Sequence, residues 1–438
     1  MTSIPRVSRR VKHLFEQDAV ELARQAGLRQ RTLNFTQLAL ILVLGWWKQP
    51  DAGPSALARF AGSLGVRLEK QTLDCHFTER TATWLLALLR RAVQHLVWGP
   101  AIKVPLLQHF SAVYVEDGSS IHLPDVLQSV WKGCGGRGSA TAAGLKVTLR
   151  WDLRHGCLQG PSLQAGRCHE LASVLQQQVM APGSLWIADL GYWTLKWLRG
   201  LSQQGVFFLM RYKPGIILWQ GKERLDLLEV LPSVVGERLE LLVDVGANKV
   251  LRGVRLLAER VPAEVADQRQ QRLREYAREH GKAANPLVLE LAHWTIIVTN
   301  VPASRLTIEQ ALALLRARWQ IELLFKLWKQ HALLDEWKAS SPWRILCEVY
   351  AKLLAMVVQH WFVLLSCWDD PYHSLPGVAE VLREQVPTLV HGLRGHLSLT
   401  RAIRLMTQSV RGGCSIPKRS TRESTSARLL SVSEPLLT

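Results

Sequence analysis

The period of the hydrophobic pattern changes near Ser111, and this change limits the folds open to the chain. Before it, apolar residues recur every three or four positions, which predicts helices over 11–26, 34–47, 55–64 and 82–97. After it, short apolar runs typical of strands alternate with helical patterns. The chain is therefore expected to join an all-α N-terminal domain to an α/β domain.

The predicted α/β domain starts with strands and continues with alternating helices and strands. Its predicted strands cover 112–117, 145–153, 184–189 and 206–212, with helices over 170–179 and 194–204. Residues 214–300 read as a mostly β insertion, with strands over 216–220, 238–245, 250–259 and 287–301 and a charged helix over 263–280. A helix over 343–367 and further helical sequence to about 408 follow. This order indicates a mixed sheet of the ribonuclease-H-like kind.

The charge balance points to a polyanionic partner. The chain has 54 Lys and Arg against 36 Asp and Glu, a formal charge of +18. Nucleic acid is the leading partner, and binding should weaken steeply with salt. The plainer alternative is a basic protein without a polyanionic ligand. With 48% hydrophobic residues, the chain is expected to be globular.

Cysteine usage and the N-terminus predict a cytoplasmic protein. The seven cysteines form no C-x-x-C pair, which argues against zinc sites and a disulfide framework. The basic N-terminus lacks an apolar secretory segment. Of two apolar runs, 33–47 is too short to span a membrane and 345–368 carries Glu348, Lys352 and His360. Both are expected to be buried helices, and no membrane partner is predicted.

The segment 318–329 sets a charged stripe on an otherwise apolar helix. At 100° per residue the stripe covers about 80° of arc and contains Arg318, Glu322, Lys326 and Lys329. The side chains that point elsewhere are Ile321, Leu324, Phe325 and Trp328. A carboxylate that helps to hold a divalent cation, flanked by cations that hold phosphates, would explain this pattern.

Two aspartates are predicted at the ends of strands. Asp117 and Asp189 each precede a Gly-containing turn, where α/β sheets expose functional side chains. Neighbouring carboxylates repel unless a cation neutralises them, so with a third carboxylate they predict Mg²⁺ or Mn²⁺. Two such ions can activate a water or a 3′-hydroxyl in phosphodiester cleavage. For any single Asp before Gly, the alternative is a simple turn residue.

Three short motifs carry a family resemblance. They are Asp117-Gly-Ser-Ser-Ile-His-Leu, Ala188-Asp-Leu-Gly-Tyr192 and Arg-x3-Glu-x6-Lys at 318, 322 and 329. Together they resemble the DDE transposases of bacterial insertion sequences, in the group with a Tyr-x2-Arg-x3-Glu-x6-Lys signature. The resemblance extends over roughly residues 100–365. The signature Tyr would fall at position 315, which is Leu315 here.

The resemblance implies a role for each motif residue. It makes Asp117, Asp189 and Glu322 the ligands of two Mg²⁺ or Mn²⁺ ions, and it makes Arg318 and Lys329 phosphate contacts at the transposon end. Lys326 would join this clamp. Two further DNA-binding candidates are Trp294, which either stacks on a flipped base or belongs to the core, and Arg211, which either faces phosphates or lies on the plain surface.

The resulting prediction is a cut-and-paste transposase with six regions. They are a DNA-end-binding helical domain (1–100), a ribonuclease-H-like core in two parts (108–213 and 301–368), the insertion (214–300), a C-terminal helical region (369–410) and a disordered basic tail (411–438). In the first region, 55–65 followed by 68–77 fits either a helix-turn-helix or a helical hairpin. The expected partners are double-stranded DNA, as inverted repeats and target, and a second copy of the chain in a homodimer on the bacterial nucleoid.

Two alternatives predict other activities. A catalytically degenerate relative or regulator would keep the charge and the helices and bind DNA without cutting it. A ribonuclease-H-like nuclease would cleave DNA without strand transfer.

Overall fold

The computed structural model describes residues 2–30, 32–135, 142–231, 237–414 and 423–433. The chain forms two compact units. The first unit draws on 1–103, 117–177 and 320–422, and the second on 104–116, 178–319 and 423–438.

Three of the four predicted N-terminal helices begin and end within three residues of their predicted bounds, whereas the helix predicted over 11–26 begins at Ile4. They are α1 Ile4–His13, α2 Ala19–Gln25, α3 Phe35–Lys48, α4 Pro54–Ser63, α5 Lys70–Asp74 and α6 Glu79–Gln94, with a π-helical turn over Leu14–Asp18. Asn34 and Gln37 form a capping box that starts α3, because each side chain accepts a hydrogen bond from the other's backbone N–H. With only five residues, α5 is shorter than a DNA-recognition helix, so the helix-turn-helix interpretation gains no support.

The later helices extend to the end of the described chain. They are α7 Pro105–Gln108, α8 Leu195–Gln203, α9 Leu227–Val230, α10 Ala263–Glu279, α11 Pro286–Leu291, α12 Ile308–Ala317, α13 Trp319–Ala332, α14 Pro342–Ser366, α15 Leu375–Glu384, α16 Val386–Leu393, α17 Leu399–Arg411 and α18 Thr425–Ser431. In the first unit, α14 packs against both α3 and α6. The N-terminal helices therefore share a core with α14 and do not form a core of their own.

The strands form one mixed sheet. They are β1 Val113–Leu123, β2 Ala143–Asp152, β3 Leu158–Ala165, β4 Leu185–Ala188, β5 Phe207–Arg211, β6 Leu218–Gln220, β7 Glu223–Leu225, β8 Arg238–Val245, β9 Leu251–Arg260 and β10 Trp294–Thr299. Their order is β3-β2-β1-β4-β5-β10-β9-β8-β6-β7. The pairs β1–β4 and β4–β5 are parallel, whereas β10 pairs antiparallel with both β5 and β9. The fold is therefore mixed α/β with helices at both ends, as predicted.

Non-local pairing decides where the strands of residues 214–300 lie in the sheet. Strands β6 to β9 lie within residues 214–300 and continue the same sheet as β4 and β5, through β10. The reason is that β10 presents one edge to β5 and the other to β9, so backbone hydrogen bonds run through it in both directions.

Three local predictions were wrong. Residues 170–179 form 3₁₀ turns over Glu170–Ala172 and Val174–Gln177 instead of a helix. The strand predicted over 287–301 begins only at Trp294, because Pro286–Leu291 form α11, which Asn285 caps by accepting a hydrogen bond from the Leu287 N–H. Strand β3 was not predicted; it carries Pro161 at the edge of the sheet, where one row of N–H groups needs no partner.

The third error concerns the tail from residue 411. Of the tail predicted to be disordered, Thr425–Ser431 forms α18, with Leu429 buried, and α18 packs against α7 and α12. Gln310 Nε2 donates a hydrogen bond to the Val432 carbonyl at 3.1 Å, so tertiary contacts order this polar segment. Residues 415–422 and 434–438 lie outside the described residues.

Helix α14 is the described helix with the length and composition of a membrane span. Inside the protein, however, 94% of its most apolar window is buried. Burial of this kind is also found in the central helix of a globular core, which agrees with the prediction of a buried helix.

Candidate active site

Asp117 lies in the middle of β1, not at its end. The predicted turn at Gly118 was wrong, because β1 continues to Leu123 beside β2, and this pairing replaces the hydrogen bonds that a turn would supply. Lys146 and Thr148 of β2 lie against Gly118. The carboxylate of Asp117 is half-buried, and its Oδ1 accepts a hydrogen bond from the Gly118 N–H at 2.8 Å.

Asp189 follows directly after β4, as predicted. It begins a 3₁₀ turn over Leu190–Tyr192, but its side chain makes no capping hydrogen bond and is exposed. A simple turn residue would use its carboxylate as a cap. The side chain of Asp189 is therefore available for another partner.

The parallel pairing of β1 with β4 ends one residue before each of the two aspartates. The last paired residues are Glu116 and Ala188, so each strand reaches its aspartate one residue after the pairing ends. Glu116 itself is fully buried, and Trp186 Nε1 donates a hydrogen bond to Glu116 Oε2 at 2.9 Å. This bond fixes β1 against β4 immediately before the aspartates.

The predicted stripe on α13 is confirmed by burial. The four apolar side chains that the sequence placed away from the stripe are buried: Ile321, Leu324, Phe325 and Trp328. Leu327 is buried with them. Glu322 and Lys329 are half-buried and Lys326 is exposed. Arg318 lies between α12 and α13 in a helical conformation, φ −52° and ψ −35°.

Lys329 joins α13 to β1 in the first unit. Its Nζ donates a hydrogen bond to the Ser120 carbonyl at 3.0 Å and lies 3.5 Å from Asp335 Oδ2. The strand of Asp117 and the helix of Glu322 are thus held against each other by one cation. A phosphate at Lys329 would compete with Asp335.

A second ion pair beside β1 escaped the sequence analysis. Lys146 Nζ lies 2.9 Å from Glu170 Oε1 and donates to the Cys168 carbonyl at 2.6 Å. Burial alone would raise the pKa of Glu170, but the contact with Lys146 outweighs it and the pKa is lowered. Glu170 therefore stays ionised and neutralises a cation near Gly118. Because 24 residues separate Lys146 from Glu170, no local sequence pattern indicated this ion pair.

The remaining candidates differ in accessibility. Arg211 is exposed at the end of β5, opposite Ile297 of β10. Trp294 is only 9% exposed, and the Arg260 guanidinium lies 6.0 Å from its ring centroid. In this arrangement little of the Trp294 ring is open to a base. Leu315, at the position of the signature Tyr, is 7% exposed.

Trp319 is a further candidate, which no sequence motif indicated. Its side chain is 55% exposed and it follows Arg318 directly. The helical wheel would have placed it on the flank of the charged stripe, since it lies 100° from Arg318. An exposed tryptophan beside a row of cations is a suitable platform for a base.

The donor chemistry at these positions suits a hard divalent cation. Asp117, Asp189 and Glu322 supply carboxylate oxygens, the ligands that Mg²⁺ and Mn²⁺ prefer. Within the part of the chain that the structure describes, no three Asp, Glu, His or Cys side chains converge on one point as a metal cluster. The residue types thus fit the ions, while the described arrangement contains no assembled three-residue cluster.

Comparison with known proteins adds a family match. Residues 108–358, more than half of the chain, match the family model described as "Transposase DDE domain". The chain is 25% identical over 359 residues to the transposase for insertion sequence element IS231F of Bacillus thuringiensis subsp. israelensis, covering 77% of this chain and 75% of that protein. It is 26% identical to the IS231C transposase of Bacillus thuringiensis subsp. berliner over 372 residues, 79% of this chain and 77% of the relative. It is also 25% identical to the IS1151 transposase of Clostridium perfringens over 281 residues, 60% of this chain and 59% of the relative.

Proposed function

This chain belongs to the transposase DDE domain family, and from that premise we propose that it moves a bacterial insertion sequence by cutting and pasting DNA. It would bind the terminal inverted repeats of the element and catalyse metal-dependent strand cleavage and strand transfer. Membership in the family confirms the resemblance to DDE transposases. The assignment to the group with the Tyr-Arg-Glu-Lys signature stays a prediction.

The observation that carries the proposal is the hydrogen bond between Lys329 and Ser120. It ties the helix of Glu322 to the strand of Asp117. Seven helical residues from Lys329 back to Glu322 span about 10 Å, and three strand residues from Ser120 back to Asp117 also span about 10 Å. The two offsets from the Lys329–Ser120 bond are thus of equal length, and this agreement supports the proposal that Asp117 and Glu322 belong to one active site.

The fold supports the proposal further. Three strands come first, β1 to β3, and then β4, α8 and β5 alternate, which is the order expected of a ribonuclease-H-like core. Strands β6 to β9 would then be the insertion of that core, built onto the same sheet.

The proposed site uses the side chains in separate roles. Asp117, Asp189 and Glu322 would hold two Mg²⁺ or Mn²⁺ ions. Bound there, the ions would supply activation of a water or 3′-hydroxyl and stabilisation of the leaving 3′-oxygen. The carboxylates of Asp117 and Glu322 are half-buried and that of Asp189 is exposed. This exposure would leave them open to the scissile phosphate of a duplex.

The cations of α13 would position the DNA. Arg318, Lys326 and Lys329 lie along the same stripe as Glu322, so phosphates bound by them would be placed beside the carboxylate. Arg211 is proposed as a further phosphate contact. We propose that two copies of the chain pair two element ends as a homodimer, on the nucleoid of the bacterial cytoplasm.

Cleavage of an element end tests the proposal. The substrate is a labelled duplex that carries the inverted repeat flanking the gene, incubated with Mg²⁺ or with EDTA. We expect cleavage with Mg²⁺ only, and its loss in Asp117→Asn, Asp189→Asn and Glu322→Gln, with binding of the end largely retained. Glu229→Gln, an exposed carboxylate on α9, is the matched control and should cleave like the parent.

Two outcomes would separate the alternatives. Binding of the end by the parent chain with no cleavage at any Mg²⁺ or Mn²⁺ concentration would indicate a degenerate DNA-binding relative. Cleavage without joining of the 3′-end to a target duplex would indicate a nuclease without strand transfer. Retained Mg²⁺-dependent cleavage in all three variants would refute the site.

A further inference from the structure

Helices α1 and α17 form a second cationic surface. Four Lys or Arg residues lie in α1 and three in α17, and neither helix contains Asp or Glu. The helices pack against each other in the first unit, where the Thr400 hydroxyl donates a hydrogen bond to the Ser8 hydroxyl at 3.4 Å. We call the solvent side of these two helices the α1–α17 face; its exposed arginines are Arg6, Arg9, Arg401 and Arg404.

The apolar side of each helix is already used by the core. Val7 and Val11 of α1 and Ile403 and Met406 of α17 are fully buried. Neither helix therefore keeps an apolar stripe that could enter a bilayer, as a membrane-surface helix needs. Toward solvent the two helices present arginine side chains among other polar residues, with Leu405 as a single exposed large apolar side chain among their described residues.

The four exposed arginines have no acidic partners. In the described ranges, none of them lies within ion-pair distance of a carboxylate, whereas Lys12 is paired with Glu16 at 3.8 Å. Burial lowers the pKa of Arg10, and the neighbouring charge of Arg6 lowers it further. Like charges crowded together without counter-charges cost free energy in the free protein, and a polyanion would relieve that cost.

Helix α10 shows that this is not a general property of exposed helices in the chain. It carries four arginines and four acidic residues over 17 positions, so its charges cancel. The positive charge is instead concentrated on particular surfaces, and the α1–α17 face is one of them.

We propose that the α1–α17 face binds the phosphate backbone of duplex DNA without reading its bases. The proposal rests on the proposed function only in taking DNA as the partner, and it adds a second DNA contact outside the site of Asp117, Asp189 and Glu322. Arginine suits this role because its planar guanidinium group pairs with phosphate through two hydrogen bonds.

The dimensions of the face agree with a duplex. The 10 residues of α1 and 13 residues of α17 correspond to about 15 and 20 Å of helix. Duplex DNA carries one negative charge per about 1.7 Å of its axis, so this length passes enough phosphates for all four arginines.

The salt dependence of binding tests the proposal. The full chain, in EDTA, is titrated onto a 40-base-pair duplex of arbitrary sequence over a range of KCl concentrations. We expect the slope of log K against log salt to become shallower by about 2 in each of Arg6→Gln/Arg9→Gln and Arg401→Gln/Arg404→Gln. Arg272→Gln/Arg278→Gln on the neutral α10 is the matched control and should change the slope by less than about 0.5.

The outcomes distinguish a failure of this proposal from a failure of the proposed function. Unchanged slopes in both double variants, with unchanged melting temperatures, would overturn it even if the parent cleaves an element end with Mg²⁺. Shallower slopes in both would support it even if the parent fails to cleave. Loss of binding to a 40-nucleotide RNA or to phosphatidylglycerol vesicles, with the DNA slope unchanged, would also overturn it.

Discussion

Lys352 and Glu348 form a buried ion pair one turn apart on α14, with N–O separation 2.8 Å and only 1% and 4% of the two side chains exposed. The Lys352 ammonium also donates hydrogen bonds to the carbonyls of Leu333 at 2.8 Å and Glu336 at 3.0 Å. All three of its N–H donors are therefore used. Because Leu333 and Glu336 directly follow α13, this lysine anchors the helix that carries Glu322.

Replacing Lys352 should destabilise the protein strongly. Lys352→Met leaves the buried carboxylate of Glu348 and two carbonyls without their partner, which is expected to lower the free energy of unfolding by about 3–5 kcal/mol. Urea denaturation measures the change. The double variant Lys352→Met/Glu348→Leu removes the unpaired charge as well and should recover part of the loss; no recovery would contradict the ion-pair explanation.

Acidification should destabilise the protein through His360. This imidazole lies with Nε2 2.7 Å from the Gly156 carbonyl, and burial lowers its pKa to about 4 from 6.5. The unfolded chain therefore binds more protons than the folded chain between these values, so stability is present above pH 6.5 and is lost as pH falls to about 4. The shift corresponds to about 3 kcal/mol.

His360→Gln, whose amide can still donate to Gly156, should flatten this pH dependence. The measurement is the urea midpoint between pH 7 and pH 4 in parent and variant. A residual slope is expected from His373, because burial lowers its pKa in the same direction. An equal slope in both proteins would show that His360 is not the titrating group.

Substitution of two tryptophans should change two different properties, end binding and folding stability. Trp319→Ala removes an exposed ring beside Arg318 and is expected to weaken binding of an element end by about 1–3 kcal/mol. Trp294→Ala removes a buried ring and is expected to cost about 3–5 kcal/mol of folding stability instead. Binding isotherms and urea denaturation of both variants separate the effects.

Tyr276 provides the control for that comparison. Its ring is 63% exposed on α10, where acidic and basic residues balance, so Tyr276→Ala should leave end binding unchanged. Weaker end binding by Trp294→Ala at unchanged stability would instead support a base-stacking role for Trp294.

Restoring the signature tyrosine should not raise activity. Leu315 is 7% exposed on α12, so Leu315→Tyr forces a larger ring and a hydroxyl into packed surroundings. We expect a loss of about 1–3 kcal/mol in the free energy of unfolding. The rate of end cleavage should not increase. Faster cleavage at unchanged stability would mean that position 315 reaches the DNA.

Periodicity predicted the features that depend on neighbours along one helix. The stripe of Glu322 and Lys329 and the burial of Leu324 on the opposite side both follow from 100° per residue, and both hold in the structure. The bounds of α3, α6 and α14 were likewise close to prediction, because caps and apolar spacing act within a few residues.

The sequence by itself thus determined most of the longer helices, most strands, the order of the motifs and the family. Only the tertiary structure decided that β1 passes straight through Gly118, that the strands of the insertion extend the main sheet, that Lys329 reaches Ser120 and that α18 is ordered. Each of these depends on partners distant along the chain. Backbone and ammonium groups find those partners only when the sheet and helices come together, and local propensity carries no record of them.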